Sequence, residues 1–102
     1  MKYVVLESFR RDFERLTRTE KEAFLAILPS FVAACDHFAT DPSTAWPASL
    51  RVKSIQGAPG ILEMTWSFAG PDGRATFEWV RLGGDLAVRW RRMGGHEIFG
   101  DP

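Results

Sequence analysis

Three runs in the second half of the chain alternate large apolar side chains with polar ones, a period of two that only a strand with one buried face uses. In the first, Leu62, Met64, Trp66 and Phe68 interleave with Ile61, Glu63, Thr65 and Ser67. In the second, Ala75, Phe77 and Trp79 interleave with Arg74, Thr76 and Glu78, and in the third Leu86, Val88 and Trp90 interleave with Arg89 and Arg91. Paired as an antiparallel meander, they make a sheet with a tryptophan-rich face for the core and an opposite face that gathers Glu63, Arg74, Arg89 and Arg91. The same alternation sends Arg81 and Arg92 to the other side, as structural or edge-protecting charges.

Turn chemistry supports the meander. Gly57-Ala58-Pro59-Gly60, Gly70-Pro71-Asp72-Gly73 and Gly83-Gly84-Asp85 separate the runs, each with glycines able to adopt the positive φ of a tight turn. Before them, Leu50 and Val52 point inward and Arg51 and Lys53 outward in a further short strand. The ten residues 40–49, with two prolines, read as a loop that leaves Trp46 looking exposed.

The first half has a different period. Residues 3–6 form a first strand; Ser8 is placed to cap a short helix carrying Phe9, Phe13 and Leu16 at i, i+4 and i+7. Thr19 and Glu22 have capping-box spacing for a longer helix with Phe24, Ile27, Leu28, Phe31, Val32, Cys35 and Phe38 on one stripe. Pro29 lies inside that stripe and removes a backbone donor, which predicts a kink or two abutting helices. The order is β-α-α-β-β-β-β. The predicted fold class is α+β, with two N-terminal helices packed on a twisted, mainly antiparallel sheet.

At 102 residues this is one domain, 1–102. No apolar run approaches the roughly 20 residues of a bilayer span, and the apolar start is too short for a signal peptide, whose core needs about 7–15 residues. The expected location is the cytoplasm, with no membrane partner. Cys35 is the single cysteine, which excludes an internal disulfide and a thiolate cluster. Cys35, Asp36 and His37 are consecutive on a helix and diverge, so no metal is assigned. Net charge is zero, yet residues 50–93 hold seven basic against four acidic side chains. The sheet half therefore offers a local basic surface to an anionic ligand.

This element order, together with Leu50-Arg51-Val52-Lys53, Gly60-Ile61-Leu62-Glu63-Met64-Thr65-Trp66, Gly73-Arg74-Ala75-Thr76-Phe77 and the closing Gly94-Gly95-His96-Glu97-Ile98-Phe99, resembles the RelE/ParE superfamily of small bacterial toxins. The resemblance implies two helices on a twisted antiparallel sheet, a co-expressed cognate antitoxin as partner, and one of two targets. Several members enter the ribosomal A site and cleave messenger RNA; the ParE branch poisons DNA gyrase. An inert relative that only binds its antitoxin is a further alternative.

RNA cleavage without a metal requires a base for the ribose 2′-hydroxyl, cations for the phosphate and an acid for the departing 5′-oxygen. Glu63 is the candidate base, and Lys53 a second candidate if surrounding cations favour its neutral form. Arg74, Arg89 and Arg91 are the candidate phosphate clamps, since arginine alone offers a planar fork. His96 is the candidate acid, histidine being the residue type that changes charge in the physiological range. Arg51 and Lys53 would steer the phosphate backbone. Phe99 stands where many cleaving members have a tyrosine, so stacking on substrate is retained and a hydroxyl role is not; Tyr3 is the only tyrosine. A carboxylate, a histidine and arginines on one face resemble the site of YoeB-like members. The structural alternatives stand beside these roles. Glu63 could pair with a cross-strand arginine, the arginines could be surface charge or an antitoxin docking patch, and His96 could be a loop histidine. No cofactor and no small-molecule substrate are expected.

Overall fold

The computed structural model describes residues 1–66 and 72–102. The elements are β1 (Lys2–Val5), α1 (Glu7–Arg15), α2 (Arg18–Thr40), β2 (Lys53–Ser54), β3 (Leu62–Trp66), β4 (Gly73–Leu82) and β5 (Asp85–Gly94). Short 3-10 turns lie at Ala48–Leu50 and His96–Gly100. The sheet order is β1-β5-β4-β3-β2, antiparallel except for β1, which runs parallel to β5. Both helices cover one face, so the predicted α+β class and order hold. Phe68 and the Gly70-Pro71 part of the predicted turn lie outside the described residues.

Local signals decide most of the elements. Gly83 and Gly84 take φ of +59° and +88° between the paired ends Leu82 and Asp85. Those values suit a type I′ turn, whose twist matches that of the flanking strands. The helical stripe packs as its spacing requires: Phe24 lies 5.1 Å from Trp66, and Phe31 5.0 Å from Phe77, between ring centroids. Phe31 and Phe77 are among the largest fully buried side chains, each stabilising the fold by about 1.5–3 kcal/mol through lost apolar exposure.

Several expectations are corrected. The sequence offers two overlapping Thr-x-x-Glu signatures, and the first is used: Thr17 accepts from the Glu20 N–H at 3.2 Å while Glu20 accepts from the Thr17 N–H at 2.8 Å. A two-residue connection from α1 places Thr17 at the extended position, so Thr19 falls inside α2. Ser8 does not cap α1, which begins one residue earlier; its hydroxyl instead donates to the Arg91 carbonyl at 2.7 Å. Pro29 sits inside a single continuous 23-residue α2. Among the described residues α2 is also long and apolar enough, by length and composition, to cross a membrane, which run-counting did not anticipate. Here its Phe24, Phe31 and Cys35 are buried against the sheet.

The predicted strand at residues 50–53 shrinks to two residues, because Leu50 closes a 3-10 turn in the core and Arg51 adopts left-handed φ of +47°. Trp46 is not a surface tryptophan. It is half-buried and stacks on Phe31 at 5.9 Å and Phe38 at 6.0 Å, pinning the loop to the end of α2.

The main departure is a β-bulge. Thr76 pairs with Arg92 and Phe77 with Trp90, which leaves Arg91 as an extra residue in β5. The inward side chains are therefore Val88, Trp90 and Met93, and two consecutive arginines lie outside the core between the last two. Strict alternation had placed Arg92 on the face opposite Arg91. Side chains from distant segments take up the polar groups around the bulge. Ser8 takes the Arg91 carbonyl, Thr76 Oγ1 accepts from the Arg92 N–H at 3.0 Å, and Asp12 Oδ2 accepts from the Met93 N–H at 3.0 Å.

Candidate functional site

β4 supplies the spine of the sheet face turned away from the helices. Arg74, Thr76 and Glu78 follow one another on that face, about 6–7 Å apart along the strand. Register then fixes their neighbours: Thr65 opposite Arg74, Glu63 opposite Thr76 and Arg89 opposite Glu78. Glu63 and Arg74 are thus diagonal cross-strand neighbours, roughly 7–8 Å apart at the backbone.

Glu63 is on the predicted face but is not open to solvent. Its side chain is 5% exposed, and Lys53 Nζ lies 3.4 Å from Oε1. The neighbour of Lys53 is therefore a carboxylate, not the cation cluster that its use as a base would require. Lys53 itself is largely in water and seals the carboxylate only loosely.

Arg74, His96 and Phe99 form a contact chain where β4 begins and β5 ends. The Arg74 guanidinium lies over the Phe99 ring, 5.5 Å from its centroid, and the His96 ring meets Phe99 edge-on at 5.1 Å. Arg74 has no ion pair among the described residues. His96 is exposed at the start of the closing 3-10 turn, which Ile98, 1% exposed, anchors in the core.

Arg89 and Arg91 are brought together by a residue that sequence reasoning passed over. Both donate to Glu78 Oε2, Arg89 from Nε at 3.1 Å and Arg91 from Nη1. Burial pushes the Glu78 carboxyl up, but the hydrogen bonds from Arg89 and Arg91 and their charges outweigh it and hold the group below the usual carboxylate range. The signal for Glu78 was its place in the same alternating frame as Arg74. Thr76 gave none, since a threonine in a strand is ordinary; its hydroxyl, fully buried, donates to the Pro102 main-chain oxygen at 3.2 Å.

Arg51 is not brought to this face. It pairs with Asp72 at 3.1 Å and borders a concavity of about 520 Å³ shared with Ala23, Ala26 and Ile27 of α2, on the helix side of the sheet. The left-handed backbone at Arg51 turns its side chain out of the alternating frame. Arg92 is structural, bonded to Asp12 through Nε at 2.6 Å. Arg81 donates to the Gly84 carbonyl across the hairpin turn at 3.3 Å.

The described residues hold no cluster of three metal-ligating side chains. On the helix side, an apolar groove of about 360 Å³ runs between β1, α1 and α2, lined by Tyr3, Phe13, Leu28 and Val32 among others. Among the described residues, Tyr3 and Leu25 at its rim are the exposed large hydrophobics. Cys35 lies at its floor, where burial first and then the Asp36 charge push the thiol up to about 12.

A solved structure of a YoeB/ParE toxin from Agrobacterium tumefaciens matches this architecture with a TM-score of 0.56, over 94% of this chain and 99% of that one. The chain has the RelE/ParE toxin fold. Identity to that YoeB/ParE toxin is 14%, so the likeness carries the backbone and not the residues of a site. No protein-family model matches the chain, and no curated protein matches it.

Proposed function

We propose that this protein is the toxin of a type II toxin-antitoxin pair, acting in the cytoplasm as a metal-independent endoribonuclease on messenger RNA in the ribosomal A site. The observation that supports it is the Arg74–Phe99–His96 chain, a cation, an aromatic ring and an imidazole in contact, whose Arg74 is the diagonal cross-strand neighbour of the Glu63 carboxylate. In this mechanism Glu63 takes the proton of the 2′-hydroxyl as its oxygen attacks phosphorus. The bond from phosphorus to the 5′-oxygen breaks, and protonated His96 donates its proton to that oxygen. A 2′,3′-cyclic phosphate and a 5′-hydroxyl result. Arg74 and the Arg89–Arg91 pair hold the non-bridging oxygens, and Phe99 offers its ring to a base. The Lys53 ammonium moves off Glu63 towards the phosphate backbone.

The partner in this reading is a cognate antitoxin. The apolar groove beside Tyr3 and Leu25 supports a protein partner, because a groove of that kind is stabilised by being covered.

One observation favours a second reading, a ParE-like gyrase binder without catalysis. Lys53, Arg89 and Arg91 are already neutralised by Glu63 and Glu78, as a non-catalytic sheet face would be. Mapping new 5′ ends in cellular messages after induced expression separates the readings. Codon-phased breaks that vanish in Glu63→Gln and in His96→Ala support the nuclease. Growth arrest without breaks, accompanied by DNA-damage signalling, replaces it with the gyrase binder.

A further inference from the structure

Three donors on the charged face converge on two adjacent main-chain oxygens of the closing segment. Arg91 Nε donates to the Pro102 oxygen at 3.0 Å, Thr76 Oγ1 donates to the same oxygen at 3.2 Å, and Arg92 Nη1 donates to the Asp101 oxygen at 3.1 Å. Each donor is prepared for an oxygen acceptor. The Thr76 hydroxyl accepts from the Arg92 N–H at 3.0 Å, which directs its own proton outward. Arg91 is gripped on its Nη1 side by Glu78 and Arg92 on its Nε by Asp12, so both guanidiniums are oriented before anything binds.

Two fixed guanidinium groups and an aligned hydroxyl form an oxyanion cradle. Its present occupants are main-chain oxygens of Asp101 and Pro102, and the same fork-and-hydroxyl geometry suits the oxygens of a phosphate. The β-bulge builds the cradle, since it alone sets Arg91 and Arg92 side by side. The occupying segment follows directly on a fixed point of the core. Ile98 anchors it in the core, and beyond that point the Asp101 N–H donates to the Ile98 carbonyl at 3.1 Å.

We propose that residues 100–102 form a strap over the phosphate subsite of the nuclease site, and that a phosphodiester gains Arg91 and Thr76 only when the strap's oxygens leave them. The strap is thus an autoinhibitory contact within the chain. It rests on the nuclease reading for its purpose, but the cradle and its exchange can be measured without RNA. The neighbouring Arg74–Phe99–His96 chain stays in place, because the hinge lies beyond Phe99.

The test titrates inorganic phosphate into the full chain and into a chain ending at Gly100, following the Arg91 Nε–H resonance and the binding heat. The shortened chain is expected to bind phosphate at least about tenfold more tightly, with Arg91 Nε–H among the most shifted signals; 1.4 kcal/mol corresponds to that factor. In the full chain, phosphate is expected to speed hydrogen exchange at the Asp101 amide, a measurement that does not depend on the shortened chain folding. Equal phosphate affinity in the two chains, or an Asp101 amide whose exchange ignores saturating phosphate, overturns the proposal. Loss of the nuclease reading alone leaves these readouts intact, because none of them involves RNA cleavage.

Discussion

Replacing Asp12 by alanine tests whether the α1–β5 lock aims the arginines. The carboxylate accepts from Arg92 Nε at 2.6 Å, from Arg92 Nη2 at 3.4 Å and from the buried Met93 N–H at 3.0 Å. Its side chain is 9% exposed and that of Arg92 24%. Removing one member of a fully buried pair costs about 3–5 kcal/mol, and an orphaned buried N–H about 1–3 kcal/mol. Arg92 keeps the Asp101 oxygen and partial contact with water, so a loss of roughly 2–4 kcal/mol is expected, a large share of the about 5–15 kcal/mol that holds a domain together. Asp12→Asn separates the two contributions, because its amide oxygen still serves Met93 while the ion pair is gone; it should lose less than the alanine variant. The double variant Asp12→Ala with Arg92→Met should recover part of the loss, since no lone charge remains. Urea unfolding followed by tryptophan fluorescence reads all three. A loss below about 1 kcal/mol in Asp12→Ala, with unchanged slope, would refute the reasoning, because so small an effect belongs to an exposed ion pair.

Three further outcomes follow from the site and core. Glu78 has a folded pKa depressed below its unfolded value, so its contribution to stability is present above the ordinary carboxylate range and is lost as pH falls through the folded value. The stability difference between wild type and Glu78→Gln should shrink on acidification below about pH 4.3, and a difference independent of pH would show that the two arginine contacts are not ionic in origin. Trp46→Ala should destabilise by about 2–4 kcal/mol, somewhat under the range for a fully buried aromatic, because the ring is half-buried between Phe31, Phe38 and Trp79; a neutral effect in urea unfolding would return Trp46 to the surface. With its thiol pushed up to about 12, Cys35 should resist alkylation by iodoacetamide at pH 8 in the native protein and react once unfolded. Rapid native labelling would mean that the groove floor is open.

The strands, the helical stripes and the Gly83-Gly84 turn were legible because each depends on neighbours within a few residues: the pleat repeats every two, the helix every 3.6, and a type I′ turn needs its glycines in place. Those signals were enough to place Glu63, Arg74 and Arg89 on one face and the tryptophans on the other. What sequence could not show is whatever depends on a partner far along the chain. The bulge at Arg91 rests on Ser8, Asp12 and Thr76, and the first two lie some 80 residues away in α1. No local period reports an extra residue whose polar groups are taken up from so far off. From that one insertion follow the pairing of Arg92 with Asp12 and the cradle shared by Arg91 and Thr76. The burial of Glu63 beside Lys53 and the turning of Arg51 to the helix side likewise depend on how β2 is cut short by the preceding loop. Alternation assigns a residue to a face, while cross-strand register and packing decide whether that residue is open, paired or sealed.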